Sequence, residues 1–339
     1  MNTMERLESY AQFDDNVLAQ VEELDAMQRN MTAGQFFDFA GIPQQPTMHE
    51  DSNGNLISLY DIVPQDCDPS SAIVMNLEMA QPLDRGLNAY KIATVAAANK
   101  NQRLLVAGKP ALAKFGEGGR IAREDFKAVS FGNFIPTVMP MVEYIDGQGI
   151  TSLKHFGGSA GADGALATVL AHDNNIESTH LVAIEPASSI KRPLPALLVR
   201  FMQTNGALSD YYEANGLDGF TEARRDPSTA RGMAYNLGIP LLSNIVTGQG
   251  IARGNFSTHL SRAMQSNPDM QVMWAHVDKS ELAGVDVVSK QIAILNGLAT
   301  RNGRTPVDEL IAHGRHSILN DMSFLAAVSL QGFAPKSKN

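Results

Sequence analysis

The chain is poor in cysteine: one residue, Cys67, in 339. An internal disulfide is therefore excluded, and a reducing compartment is expected, with Cys67 a small buried side chain rather than a nucleophile. Long apolar runs are also missing. No stretch of about 18 residues is apolar enough to predict a spanning helix. Positive charge is scarce, since 27 Lys and Arg face 36 Asp and Glu for a formal net charge of -9. That balance speaks against an extended nucleic-acid footprint. The opening residues, "MNTMERLESYAQFDDN", lack the basic-then-apolar layout of a secretory leader, so a cytoplasmic location is expected. No internal repeat or low-complexity tract is visible.

What is present is core. Hydrophobic residues make up 44% of the chain and charged residues 19%, enough for one large domain or a core domain with an insertion. Residues 3–29 carry Leu7, Tyr10, Phe13, Val17, Val21 and Leu24 near helical spacing. These helices are expected either to pack on the main body or to serve as an arm for a homo-oligomer. "GNLISLYDIV" predicts a strand after the Asn53-Gly54 turn. "SSAIVMNLEM", "QRLLVAG", "TSLKHF" and "THLVAIEP" predict further strands, with helices between them. Short apolar strands alternating with helices imply an α/β fold, a mostly parallel sheet with helices on both faces. From 188 to about 266 the pattern turns helical, and the alternation resumes with "DMQVMWAHVD" and "VDELIAHG". This divides the chain into an N-terminal helical extension (1–48), a core (49–187 and 267–333) and a helical cap insert (188–266).

The stretch "HFGGSAGADGALA" joins a predicted strand to a small-residue helix. Within it, Gly157-Gly158-Ser159-Ala160-Gly161 fits G-x-S-x-G. A serine on a sharp strand-to-helix turn needs small neighbours, because larger ones would collide. By itself such a pentapeptide is a weak signal; its placement between strand and helix makes it a strong one.

From the strand order, the elbow and the position of the insert, residues 50–333 resemble the α/β-hydrolase family. The resemblance implies a nucleophile Ser159, a histidine after the last strand and an acid between them in chain order. His316, in the loop entering the final helix, is the expected base, and His313 is expected to belong to the strand. Two histidines three apart could also suggest a metal pair, but no third ligand accompanies them. The acid implied is Asp278, at the end of "VMWAHVD". Glu281 and Asp286 are nearby alternatives, and Glu185, ending "LVAIEP", is the alternative on an earlier strand. His155 and His276, in strands, are expected to be structural. Oxyanion donors would be the backbone N–H groups of Ala160 and Met79. At the second donor the chain carries Leu77-Glu78 where many family members have His-Gly.

These residues imply a serine hydrolase cleaving a carboxylic ester, thioester or lactone through an acyl-enzyme, with no cofactor and no metal. Two alternatives use the same chain: a catalytically silent binding or scaffolding module, and a serine-dependent acyltransferase. The apolar run Leu194, Leu197, Leu198, Val199, Phe201 and Met202 would either line a pocket for an apolar acyl group or fasten the cap to the core. The glycine-rich pieces around Gly116, Gly118 and Gly119, and around Gly248 and Gly250, lack a complete nucleotide fingerprint and are expected to be flexible loops.

Overall fold

Short continuous apolar runs, buried on both faces in the central strands, produce the sheet around which the molecule is organised. The structure, a computed structural model, describes residues 3–77, 86–108, 120–172, 176–200 and 241–334. Eight strands form one sheet: β1 (Thr47–Glu50), β2 (Leu56–Ile62), β3 (Ser71–Asn76), β4 (Arg103–Gly108), β5 (Ser152–Gly158), β6 (Glu177–Ile184), β7 (Gln271–Val277) and β8 (Val307–Ala312). Their order is β1-β2-β4-β3-β5-β6-β7-β8. β1 and β2 are antiparallel to their neighbours, and every pairing from β4 to β8 is parallel. β1 is an addition to the strands expected from sequence. Its residues are mostly exposed and polar, so it lacks the apolar pattern that marks the others.

The period-two alternation of each strand sorts its side chains between two helical layers. Ile73 and Met75 of β3, and Leu104 and Val106 of β4, face a layer built from α1 (Thr3–Tyr10), α2 (Asp15–Arg29), α3 (Ala33–Phe39), α4 (Gly86–Ala98) and the C-terminal helix. Ala72 and Val74 face α6 (Met139–Asp146), which follows the short α5 (Phe126–Ser130). On the same side, α7 (Ala160–Ala171), α9 (Phe256–Ser266) and α10 (Val285–Arg301) cover Leu181, Val272 and the fully buried Trp274. Phe256 meets Trp274 edge to face, with ring centroids 4.8 Å apart.

α9, in the stretch assigned from sequence to the helical insert, packs on α7 and α10 against the sheet. One expectation about the periphery changes here. "VTGQGIARGN" is mostly helix rather than loop: Gly248 and Gly250 lie inside α8 (Leu241–Ala252). A Cβ on Gly250 would come within 2.2 Å of the Val129 carbonyl, so glycine allows α8 to press against α5. Gly116, Gly118 and Gly119 lie outside the described residues.

The N-terminal helices spend their apolar face within the chain. Leu7, Tyr10, Phe13, Val17, Val21 and Leu24 are buried in the cluster shared with α11 (Met322–Phe333). Arg6 pairs with Asp321 at 3.3 Å, and the Tyr10 hydroxyl donates to the same carboxylate. Packing on the main body is thus the arrangement observed. Cys67 is half-buried rather than buried. No helix among the described residues is long and apolar enough to cross a membrane.

Candidate active site

The carboxyl ends of β5 and β6 bring two strained residues side by side. Ser159 follows β5 with φ 51°, and Glu185 follows β6 with φ 47°; among the described residues these are the two non-glycine positions with positive φ. Such backbone costs on the order of 1–3 kcal/mol per residue and persists only where the surroundings hold it. Here the holding contacts are main-chain hydrogen bonds. Ser159 N donates to Ile184 O at 2.8 Å, Glu185 N to Ala275 O at 2.8 Å, and Ala187 N to Ser159 O at 3.2 Å.

Small residues make the turn sterically feasible. A Cβ on Gly157 would lie 2.3 Å from the Gly161 carbonyl oxygen, and one on Gly161 would lie 2.1 Å from the Asn76 carbonyl oxygen. Those contacts let α7 start immediately after Ser159 while lying against β3. Ser159 is buried, and the Ala160 amide opens the first turn of α7. Asp163, one turn on, is buried and accepts hydrogen bonds from the hydroxyl and backbone N–H of Ser188, tying the elbow helix to the segment after Glu185.

His316 opens the short 3-10 segment His316–Asn320 after β8. Its Nδ1 lies 3.1 Å from Glu185 Oε2, with both side chains almost fully buried. The other Glu185 oxygen, Oε1, accepts from Val277 N at 2.9 Å, and Ser280 Oγ donates to Oε2 at 2.5 Å. An ionised carboxylate only accepts, so Nδ1 carries the proton and Nε2 presents its lone pair. Nε2 makes no hydrogen bond among the described residues. Serine–histidine contacts in empty sites are commonly open and tighten around substrate.

Asp278 does not take the place expected of it beside His316. It binds His313 Nδ1 at 3.0 Å and caps Gly314 N at 2.9 Å, at the outer side of the same turn. The backbone explains the exchange. Glu185, at positive φ, sets its carboxylate at the end of β7, where Val277 N–H donates to it. Asp278 stays in register with β8 through its N–H bond to Ala312 O. Burial pushes the Asp278 carboxyl up, but the Gly314 N–H and His313 outweigh it and hold the group below the usual carboxylate range. His313 lies just past β8 and is 71% exposed.

The remaining alternatives also have other places. Glu281 Oε2 accepts from the backbone N of His316 at 3.3 Å, and Asp286 is exposed in the first turn of α10. His276 bonds Glu309 at 2.7 Å. His155 bonds Ser178 at 3.0 Å, and burial pushes its imidazole down to about 3. Met79 and Glu78 lie outside the described residues, as do Phe201 and Met202. Leu197 is buried against Ala160, Ala187, Val246 and Ile251, whereas Leu198 and Val199 are exposed. The apolar run therefore divides, with Leu197 packed beside the elbow. Among the described residues no group of three or more His, Cys, Asp or Glu could hold a metal ion.

Ser280, Asp163 and Ser188 were not singled out from sequence. Isolated serines and a helix-borne aspartate carry no spacing signal, and their roles emerge only where β6, β7 and α7 converge.

No family model matches the sequence, and no curated protein matches it. Solved structures similar to it include a hydrolase from Pseudomonas aeruginosa, at 12% identity and TM-score 0.49, covering 84% of this chain and 96% of that one. Others are an α/β serine hydrolase homologue from Coxiella burnetii, at 11% and 0.44, covering 86% and 97%, and a thioesterase domain from the curacin biosynthetic pathway, at 15% and 0.46, covering 85% and 99%. The strand order with its antiparallel β1 and β2, the helices on both faces, and the serine turn between β5 and α7 make this an α/β-hydrolase fold.

Proposed function

We propose that the protein is a serine hydrolase acting on a carboxylic ester, thioester or lactone, with Ser159 as nucleophile, His316 as base and Glu185, rather than Asp278, as the acid. One observation carries this reading. A serine held at φ 51° shares two adjacent strand ends with a buried histidine–carboxylate pair. A merely structural serine has no need of that strain, and a buried carboxylate is costly unless its hydrogen bonds are met.

In the reaction, Ser159 Oγ attacks the carbonyl carbon as His316 Nε2 takes its proton. Glu185 stabilises the imidazolium that forms. Collapse of the tetrahedral intermediate expels the alcohol, thiol or ring oxygen, which leaves with the proton from His316. Water then attacks the acyl-enzyme, losing a proton to His316, and collapse breaks the bond to Ser159 Oγ, which takes that proton as the acid is released. The oxyanion would rest at the N-terminus of α7, where the Ala160 amide and the helix dipole favour negative charge. Met79 is proposed as the second donor.

The test is labelling with a fluorophosphonate, followed by a p-nitrophenyl ester series of increasing chain length. Native protein should label and hydrolyse, while folded Ser159→Ala should do neither. A folded native protein that neither labels nor hydrolyses any ester of the series would sink the proposal.

A further inference from the structure

Ser280 lies in the turn between β7 and α10, and its hydroxyl is fully assigned. The backbone N–H groups of Leu282 and Ala283 each donate to Oγ at 3.1 Å, which occupies both of its lone pairs. Its one proton is therefore directed to Glu185 Oε2 at 2.5 Å. That same oxygen faces His316 Nδ1 at 3.1 Å. With Oε1 taken by Val277 N–H, the carboxylate is gripped at both ends by the close of β7 and the turn that follows.

The rest of this turn holds the histidine loop. Asp278 caps Gly314 N, Lys279 N donates to Gly314 O at 3.0 Å, and Glu281 accepts from His316 N. One short segment thus positions both the acid and the base, and Ser280 is its side-chain contact with the acid.

We propose that Ser280 is a positioning residue: its hydroxyl fixes the orientation of the Glu185 carboxylate, and moderates the charge that carboxylate presents to His316. The proposal rests on the assignment of Ser159, His316 and Glu185 as the reacting group. Without the hydroxyl the carboxylate loses one of its fixed partners, and the charge on Oε2 falls more fully on the imidazole. The first effect lowers turnover. The second favours the imidazolium, so a higher pH is needed to keep His316 free as a base.

Ser280→Ala should lower kcat about tenfold with little change in KM, and should move the acid limb of the pH–rate profile upward. Ser280→Thr keeps the hydroxyl and should keep both values near those of the native protein. The Nδ1 proton of His316, followed by NMR in full-length protein, gives a readout independent of turnover. Its resonance should shift in Ser280→Ala and stay in Ser280→Thr.

A folded Ser280→Ala protein with an unmoved acid limb and an unmoved resonance would overturn the proposal. So would a threonine variant that shifts both as alanine does, because the hydroxyl would then be irrelevant. Failure of native protein to label with fluorophosphonate is a separate result. It would sink the hydrolase reading, while the resonance would still report whether Ser280 governs the Glu185–His316 pair.

Discussion

Two carboxylate–histidine pairs occupy the same end of the sheet, and they differ in almost everything except chemistry. Glu185–His316 is nearly fully buried, spaced at 3.1 Å, and gripped by Val277 N–H and the Ser280 hydroxyl. Asp278–His313 is closer, at 3.0 Å, yet its imidazole is 71% exposed. Distance alone would favour the outer pair. Burial decides otherwise, because a hydrogen bond shielded from water fixes a tautomer, whereas an exposed one competes with solvent. Backbone strain points the same way: Glu185 pays for a positive φ, and Asp278 continues the register of its strand.

The comparison breaks most visibly at Ser159, the nucleophile proposed to be served by the inner pair. Ser159→Ala should lower kcat by about 10⁵-fold or more, because hydroxyl and base act as a unit. Steady-state ester hydrolysis checks this, with fluorophosphonate labelling as the independent measure. Next come the two acids. Glu185→Gln should reduce kcat by roughly 10³–10⁴, since an amide there can support the wrong imidazole tautomer. Asp278→Asn should leave kcat within about threefold of native protein, because the new side chain still accepts from Gly314 N–H. If the two losses came out in the reverse order, the assignment of the acid would be wrong.

The elbow should break by sterics rather than chemistry. Gly161→Ala would place a methyl 2.1 Å from the Asn76 carbonyl oxygen, which is backbone and cannot swing aside. A destabilisation of about 3 kcal/mol is expected, the upper range for overpacking. Urea denaturation measures it, and a midpoint unchanged from native protein would mean that α7 is free to move off β3.

These contrasts explain what could be seen in the sequence. The serine turn was legible because part of its constraint is local: a Cβ on Gly157 would meet the Gly161 carbonyl four residues on. The parallel strands were legible because burial on both faces leaves continuous apolar runs such as "AIVM" and "LVAI". The proposed acid was not, since a carboxylate follows each of β6 and β7, at Glu185 and Asp278. Choosing between them requires knowing where the loop after β8 comes to rest, over a separation of 131 residues for one pair and 35 for the other. Gly250 misled for a similar reason. Read locally it suggests a loop, but in the fold it relieves a helix contact with Val129, far away in the chain.

A buried histidine outside the site sharpens the argument about burial through pH. Burial in particular, with His172 nearby, pushes the His155 imidazole down to about 3. Between that value and the ordinary histidine value the unfolded chain binds a proton that the folded chain refuses. Stability contributed by the neutral ring is therefore complete above about pH 6.5 and falls as pH drops, by up to roughly 1.4 kcal/mol per unit. His155→Asn should flatten this part of the stability curve between pH 6 and 4, measured as Tm against pH. A wild-type slope retained in the variant would move its origin to other groups, with His172 the first to examine.

The smallest effect belongs to the outer pair. His313→Ala removes an exposed imidazole but leaves Asp278 bonded to Gly314 N, and the His313 backbone N still donates to Tyr10 O at 2.6 Å. The histidine loop thus keeps its main-chain anchors, and stability should change by no more than about 0.5 kcal/mol. Repeating the urea denaturation at 0.05 and 0.5 M salt separates the contributions. Whatever His313 supplies as a charge should fade at the higher salt, where exposed pairs are screened. A loss that is large and indifferent to salt would show that the outer imidazole is part of the loop's packing, and the contrast between the two pairs would have to be drawn on strain and hydrogen bonding rather than on exposure.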